Sequence, residues 1–120
     1  MRGGAPRIDI SAPPRYNGGM EERYSRTALL LGAAGVEKLK KARVAVFGLG
    51  GVGSWCAEAL ARAGVGALTL VDKDVVEESN CNRQLVALSS TVGRCKAEVM
   101  AERVRDIDPA CAAEPRVLFY

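Results

Sequence analysis

The strongest constraint on this chain is a change of period around a glycine cluster. Arg43-Val-Ala-Val-Phe47 is a short run of β-formers without a polar face. That pattern predicts a strand covered on both sides in a parallel sheet. Gly48-Leu-Gly50-Gly51-Val-Gly53 follows at once, and behind it Val52, Trp55, Cys56, Ala59, Leu60 and Ala63 recur at helical spacing. They predict one apolar helix stripe, with Trp55 in the core. Gly64 supplies a helix stop, and Ala67-Leu-Thr-Leu-Val-Asp72 reads as a second buried strand that ends on an acid. Strand, glycine turn, helix and strand in this order define a right-handed βαβ crossover.

The flanking segments extend this unit. Residues 1–20 carry Gly, Pro and Arg without periodicity and read as a flexible tail. Residues 21–42 form a helical arm, with Leu29, Leu30, Leu31, Val36 and Leu39 as anchors and with Gly32 and Gly35 breaking it in two. After Asp72 the chain is polar and irregular to about Thr91, with one helical turn expected near Arg83 to Leu88. Ser90 or Thr91 can cap a helix whose stripe is Ala97, Met100, Ala101, Val104 and Ile107, and which Pro109 ends. Arg116-Val-Leu-Phe-Tyr120 reads as a third strand. Residues 43–120 are therefore an α/β unit: the N-terminal βαβαβ half of a Rossmann-like, doubly wound parallel sheet. A sheet ending on an apolar strand leaves an edge uncovered, so the expectation is a truncated domain or one that relies on a partner.

Composition narrows the function classes. A chain of 120 residues, 48% hydrophobic and 26% charged, has the make-up of one ordinary globular domain. No apolar run approaches the roughly 20 residues of a membrane span, and the start lacks the apolar core of a secretory signal, so no span and a cytoplasmic location are expected. The net charge of +3 is too small and too dispersed to argue for nucleic acid, and Lys38, Lys40 and Lys41 read as a solvated face. Cys56, Cys81, Cys95 and Cys111 include no CxxC pair and there is no His, so no metal site is expected from these residues. Arg94 and Lys96 flank Cys95, a setting that favours a thiolate, although a small residue at a helix start is the plainer reading. Glu58 and Arg62 read as an i, i+4 surface pair.

The glycine cluster matches GxGxxG, and each glycine has a steric reason. One makes the tight turn, one lets phosphate approach the backbone, and one lets helix and strand pack closely. Free N–H groups at the helix start then face the phosphates. Asp72, 19 residues past Gly53, is placed to bind a ribose hydroxyl. The polar segment Ser79-Asn-Cys-Asn-Arg83-Gln84 and Lys96 beyond it add two cations that a dinucleotide does not need. They suit a triphosphate, unless the loop is merely solvated and its charge incidental.

Gly48 to Gly53, Asp72-Lys-Asp74, Ser79-Asn80-x-x-Arg83-Gln84 and Lys96 together resemble the signature of the ubiquitin-activating-enzyme-like superfamily, whose members adenylate carboxylates. Arg23-Tyr-Ser-Arg26 resembles its N-terminal arm. The forms Gly-Gly-Val-Gly-Ser54-Trp55, Asn80-x-Asn82-Arg-Gln and Val92-Gly-x-x-Lys96-Ala-Glu-Val-Met-Ala-Glu-Arg are most similar to the tRNA threonylcarbamoyladenosine dehydratases. The resemblance implies that Gly48, Gly50, Gly51 and Gly53 cradle ATP, that Asp72 binds its ribose, that Asp74 belongs to the same ATP site, and that Asn80, Arg83 and Lys96 hold the triphosphate. It also implies that Arg26 reaches a partner subunit's site in a homodimer, and that Arg26, Arg83 and Lys96 serve catalysis. The implied reaction is an ATP-dependent cyclisation of N6-threonylcarbamoyladenosine in tRNA. Mg2+ would accompany the ATP, its main aspartate ligand falling in the family's second half, beyond this chain. Related adenylyltransferases that activate ubiquitin-like sulfur carriers share the ATP site, and a non-catalytic nucleotide-binding or dimerisation fragment is a further alternative. Sulfur-carrier or cysteine desulfurase proteins are then candidate partners.

Overall fold

A computed structural model describes residues 22–119. The expected tail, the first residue of the arm and Tyr120 lie outside the described residues. The elements are α1 (Ser25–Lys41), β1 (Arg43–Phe47), α2 (Gly53–Ala63), β2 (Ala67–Val71), α3 (Lys96–Ile107) and β3 (Ala112–Arg116). The three strands are parallel in the order β1-β2-β3, the α/β arrangement that the strand-helix alternation requires.

Both crossovers bring their helices to one face of the sheet, where α2 and α3 also touch each other. Val44, Val46, Leu68, Leu70 and Ala113 point to that face and pack against Ala57, Ala61, Ala97, Met100, Ala101 and Val104. The other face of β1 is open among the described residues, with Ala45 exposed and Phe47 at 59% exposure. Among the described residues β1 is therefore covered on one side rather than on the expected two. Two successive right-handed crossovers put both helices on the same side, and a run of β-formers cannot register that.

The buried face of α2 is also not the expected one. Ser54, Ala57, Glu58 and Ala61 face the core, whereas Val52, Cys56 and Ala59 are exposed and Trp55 stands 53% in solvent. Counting large apolar residues selects the wrong stripe here, because the helix sits so close to the sheet that only small side chains fit beneath it. Glu58 is buried rather than superficial. Its carboxylate accepts from Arg62 Nε at 2.7 Å and from Arg103 Nε at 2.6 Å, clamping α2 to α3.

The expected stripe of α3 holds, with Ala97, Met100, Ala101 and Val104 buried. Its cap does not. Cys95 is the N-cap, and Thr91 instead binds Val86 O at 2.6 Å and receives Leu88 N–H at 2.9 Å inside the preceding loop. The helical turn of that loop is a 3-10 turn at Glu78–Asn80, not at Arg83 to Leu88.

Strand β3 begins four residues before the apolar run expected to form it. The register Ala67↔Ala112 follows from the short link after Ile107, and Val117, Leu118 and Phe119 lie exposed beyond it. Ala112 N–H and Arg116 C=O bond to the β2 side, so Ala113 and Pro115 point to the free edge. Pro115 thus removes no ladder bond, and Arg105 caps the outward carbonyl of Ala113 at 2.8 Å.

Helix α1 kinks at Gly32 (φ 74°), while Gly35 continues the second piece. Val36 is the buried anchor with Leu39 partly buried, whereas Leu30 and Leu31 are exposed. The arm is held chiefly by polar contacts: Tyr24 OH donates to the buried Asp108 carboxylate, and Arg23 donates to Ile107 O at 2.7 Å.

Candidate functional site

The glycine turn leaves the C-terminal end of β1 and is fixed by its neighbours. Gly48 adopts φ 92° and donates to Val71 O at 2.8 Å, tying the turn to β2. A Cβ on Gly53 would stand 1.7 Å from Gly48 O, so the start of α2 closes on the strand as only glycine permits. Asp72, at the end of β2, is buried. Its Oδ2 accepts Leu49 N–H at 2.7 Å and its Oδ1 accepts Asp74 N–H at 2.8 Å. The carboxylate therefore first orders the turn, and each oxygen keeps a second lone pair for a ligand hydroxyl.

The polar segment forms the wall of the turn. A Cβ on Gly51 would meet Arg83 Cγ at 3.9 Å and one on Gly50 would meet Gln84 Nε2 at 3.7 Å. The first turn of α2 holds this wall in place. Ser54 Oγ donates to Gly50 O at 2.5 Å and accepts Leu85 N–H at 3.2 Å, while Trp55 Nε1 donates to Arg83 O at 3.2 Å. Trp55 is thus neither core nor stacking platform but a clasp on the wall. Asn80 organises the segment from within: its side chain and that of Glu77 form a reciprocal cap, and its carbonyl accepts from Arg83 and Gln84.

The charged groups are arranged as follows. Arg83 is exposed, its guanidinium folded onto Ser79 O at 3.2 Å and Asn82 Oδ1 at 3.0 Å. Lys96 opens α3 and its N–H binds Asp74 O at 3.0 Å, which places it beside the end of β2. It is 7% exposed, and its ammonium has no hydrogen bond or ion pair among the described residues. Asp74 is exposed and turns its carboxylate to Lys73 at 3.0 Å. Gly48, Gly50, Gly51, Gly53, Asp72 and Arg83 are therefore brought together, with Asn80 beneath and Lys96 at the strand end. Arg26 is not brought to them: it is exposed two residues after Tyr24, whose ring packs on Gly64 ahead of β2, at the opposite end of the strands. Sequence reasoning did not single out Ser54 and Gln84 as site residues. The only available signal was their position, immediately after the glycines and after Arg83.

The arrangement can receive an anion on free N–H groups at the start of α2, with cations at its margin. Among the described residues no three His, Cys, Asp or Glu side chains gather as a metal would need, and no helix is long and apolar enough to cross a membrane.

Comparison with known proteins agrees with this geometry. The chain is 52% identical over 101 residues to the tRNA threonylcarbamoyladenosine dehydratase of Bacillus subtilis, a match covering 84% of this chain and 40% of the relative. The Escherichia coli tRNA N6-threonylcarbamoyladenosine dehydratase, crystallised in complex with ATP, superposes with a TM-score of 0.80 at 50% identity, over 82% of this chain and 40% of that one. The SAMP-activating enzyme E1 of Haloferax volcanii is 44% identical over 96 residues, 78% of this chain and 36% of the relative. The chain thus spans about 40% of the length of the dehydratases it matches. Residues 24–119 match the ThiF family, and the chain belongs to it.

Proposed function

We propose that this chain supplies the ATP-binding part of a tRNA-modifying enzyme, which uses ATP to cyclise N6-threonylcarbamoyladenosine with net loss of water. The observation that carries the reading is the glycine turn with Arg83 on its wall and Lys96 at the end of β2, the lysine stem buried and its ammonium unpaired among the described residues. A cation held at the site on a buried stem, with no partner among the described residues, is placed to meet an anion. The dehydratase similarity supports the substrate.

In this reading the glycine turn and the α2 N-terminus bind the phosphates, Asp72 takes the ribose, and Asn80, Arg83 and Lys96 neutralise the triphosphate. Arg83 exchanges its loop carbonyl contacts for phosphate oxygens. A carboxylate oxygen of the threonyl group attacks phosphorus and displaces a phosphate-containing leaving group, whose developing charge Arg83 and Lys96 stabilise. An internal nucleophile then closes the ring, and the carboxylate oxygen departs on the phosphoryl group as the equivalent of the lost water. Mg2+ bound with the nucleotide would add positive charge at the phosphates, although among the described residues no three carboxylate, His or Cys side chains gather to hold it. A homodimer, in which Arg26 reaches the partner's site, and a cytoplasmic setting with cysteine desulfurase partners belong to the same reading.

The test is nucleotide titration of the intact protein, followed by Trp55 fluorescence. ATP should change the signal and NAD should not. Lys96→Met should weaken ATP at least tenfold without lowering the melting temperature of the nucleotide-free protein, and Arg83→Ala should weaken it comparably. Unchanged ATP affinity in both variants refutes the reading. A second reading, activation of a ubiquitin-like sulfur carrier, is favoured by the similarity to the SAMP-activating enzyme. Pyrophosphate exchange that depends on a carrier protein rather than on modified tRNA would select it.

A further inference from the structure

The carboxamide of Gln84 has no part in the reading above. The residue is 8% exposed, its Oε1 is enclosed without a donor, and its Nε2 makes no hydrogen bond among the described residues. Its backbone is nevertheless tightly placed. Gln84 N–H donates to Asn80 O at 2.9 Å, its carbonyl accepts Ala87 N–H at 3.0 Å, and the next residue is fastened to Ser54 Oγ at 3.2 Å. The side chain is therefore held where it is by its neighbours. Its amide edge faces the glycine turn, with Nε2 at 3.7 Å and Cδ at 4.0 Å from the point where a Cβ on Gly50 would stand.

Other buried polar side chains around it are matched: Asn80 by its reciprocal cap, Ser54 and Thr91 by two or more bonds each. An enclosed acceptor without a donor is a cost that the fold carries with or without a ligand, and a methionine of similar length would fill the same space without that penalty. The arrangement makes physical sense when Nε2 meets an anionic oxygen, because a hydrogen bond to a charged acceptor is about twice as strong as a neutral one. The missing Cβ of Gly50 leaves room for that oxygen. Rotating the amide by half a turn would instead aim a carbonyl oxygen at the turn and repel it.

We propose that Gln84 is a phosphate-binding residue of the glycine turn, its Nε2 donating to a non-bridging oxygen of a polyphosphate lying over Gly50. The proposal rests on the nucleotide-binding reading given above and extends it to a residue whose carboxamide donor is unused among the described residues.

The experiment compares wild type, Gln84→Met and Gln84→Glu in the intact protein, by calorimetric titration with ATP, AMP and adenosine and by thermal unfolding without nucleotide. Gln84→Met should weaken ATP about tenfold, leave adenosine unchanged, and melt no lower than wild type when empty. Gln84→Glu, which sets a carboxylate against phosphate, should weaken ATP further and again spare adenosine. The proposal is overturned if Gln84→Met binds ATP like wild type, or if ATP and adenosine weaken equally. It is likewise overturned if the empty Gln84→Met protein melts several degrees lower with ATP affinity intact, which marks a purely structural residue. Failure of wild type itself to bind ATP refutes the underlying nucleotide reading and is distinguishable from all of these.

Discussion

Replacing Ser54 by alanine removes a single oxygen but should loosen a whole wall of the site. Ser54 is fully buried, and its Oγ lies between the glycine turn and the polar segment. Gly50 O would keep the Ser54 N–H at 3.2 Å and so lose only part of its pairing. Leu85 N–H has no other acceptor among the described residues, and an orphaned buried donor costs about 1–3 kcal/mol. Taking about 2 kcal/mol, the free energy that opens the segment around Leu85 should fall by that amount, raising the exchange rate of the Leu85 amide about thirtyfold. Amides on β2 and α3 should slow or quicken far less, because their ladders do not pass through Ser54. Hydrogen exchange followed by NMR reads both at once. The reasoning is refuted if Leu85 keeps its protection, or if every amide is weakened equally, which would make Ser54 an ordinary core residue rather than a fastener.

Gly53→Ala should abolish nucleotide binding, because a Cβ would stand 1.7 Å from Gly48 O and the turn must open to admit it; ATP titration checks this, and wild-type affinity would contradict it. Glu58 is held below the usual carboxylate range, first by its hydrogen bond to Arg103 and then by Arg62, against the opposing effect of burial. A group whose folded pKa is depressed stabilises fully above its ordinary value, and that contribution is lost as pH falls through the ordinary value to the depressed one. Glu58→Gln should therefore cost about 1–2 kcal/mol at neutral pH, given the partial exposure of both arginines, and should flatten the acid limb of melting temperature against pH. Tyr24→Phe should remove the hydroxyl that Asp108 accepts and cost about 1.5–3 kcal/mol. Residues 22–41 should then become accessible to exchange or protease ahead of the sheet.

The order of elements was legible because it is written in periodicity. A period-2 run, a glycine turn, a period-3.6 run and a second short strand can be joined in very few ways. Which faces are buried was not legible, and Trp55 shows why. Hydrophobicity alone placed it in the core, but the close approach of α2 required by Gly53 leaves room only for Ala57 and Ala61 beneath the helix. The apolar stripe is consequently turned outward, where Trp55 Nε1 finds Arg83 O. The third strand was placed four residues too late for a related reason. Ala112–Arg116 is a poor β sequence containing a proline, yet the register set by the link from α3 selects it over the apolar residues that follow.

The site was half legible, and the division follows the physics of each half. The glycines and Asp72 could be read because their roles are steric and local: a turn that needs φ 92° and a helix start that tolerates no Cβ leave a mark in residue type. Arg83 on the opposite wall could be named from its charge, but what holds that wall carries no such mark. Arg83 and Gln84 are held at the turn through Asn80 O, Ser54 Oγ and Trp55 Nε1, bonds that span 31 and 28 residues in the last two cases and belong to no periodic pattern. One consequence is that α2 does two jobs in its first turn. In the proposed reading its N–H groups face the phosphates, while Ser54 and Trp55 hold the wall opposite. A change there should disturb binding from both sides at once, whereas a change at Lys96, which enters from α3, should subtract charge and leave the wall standing.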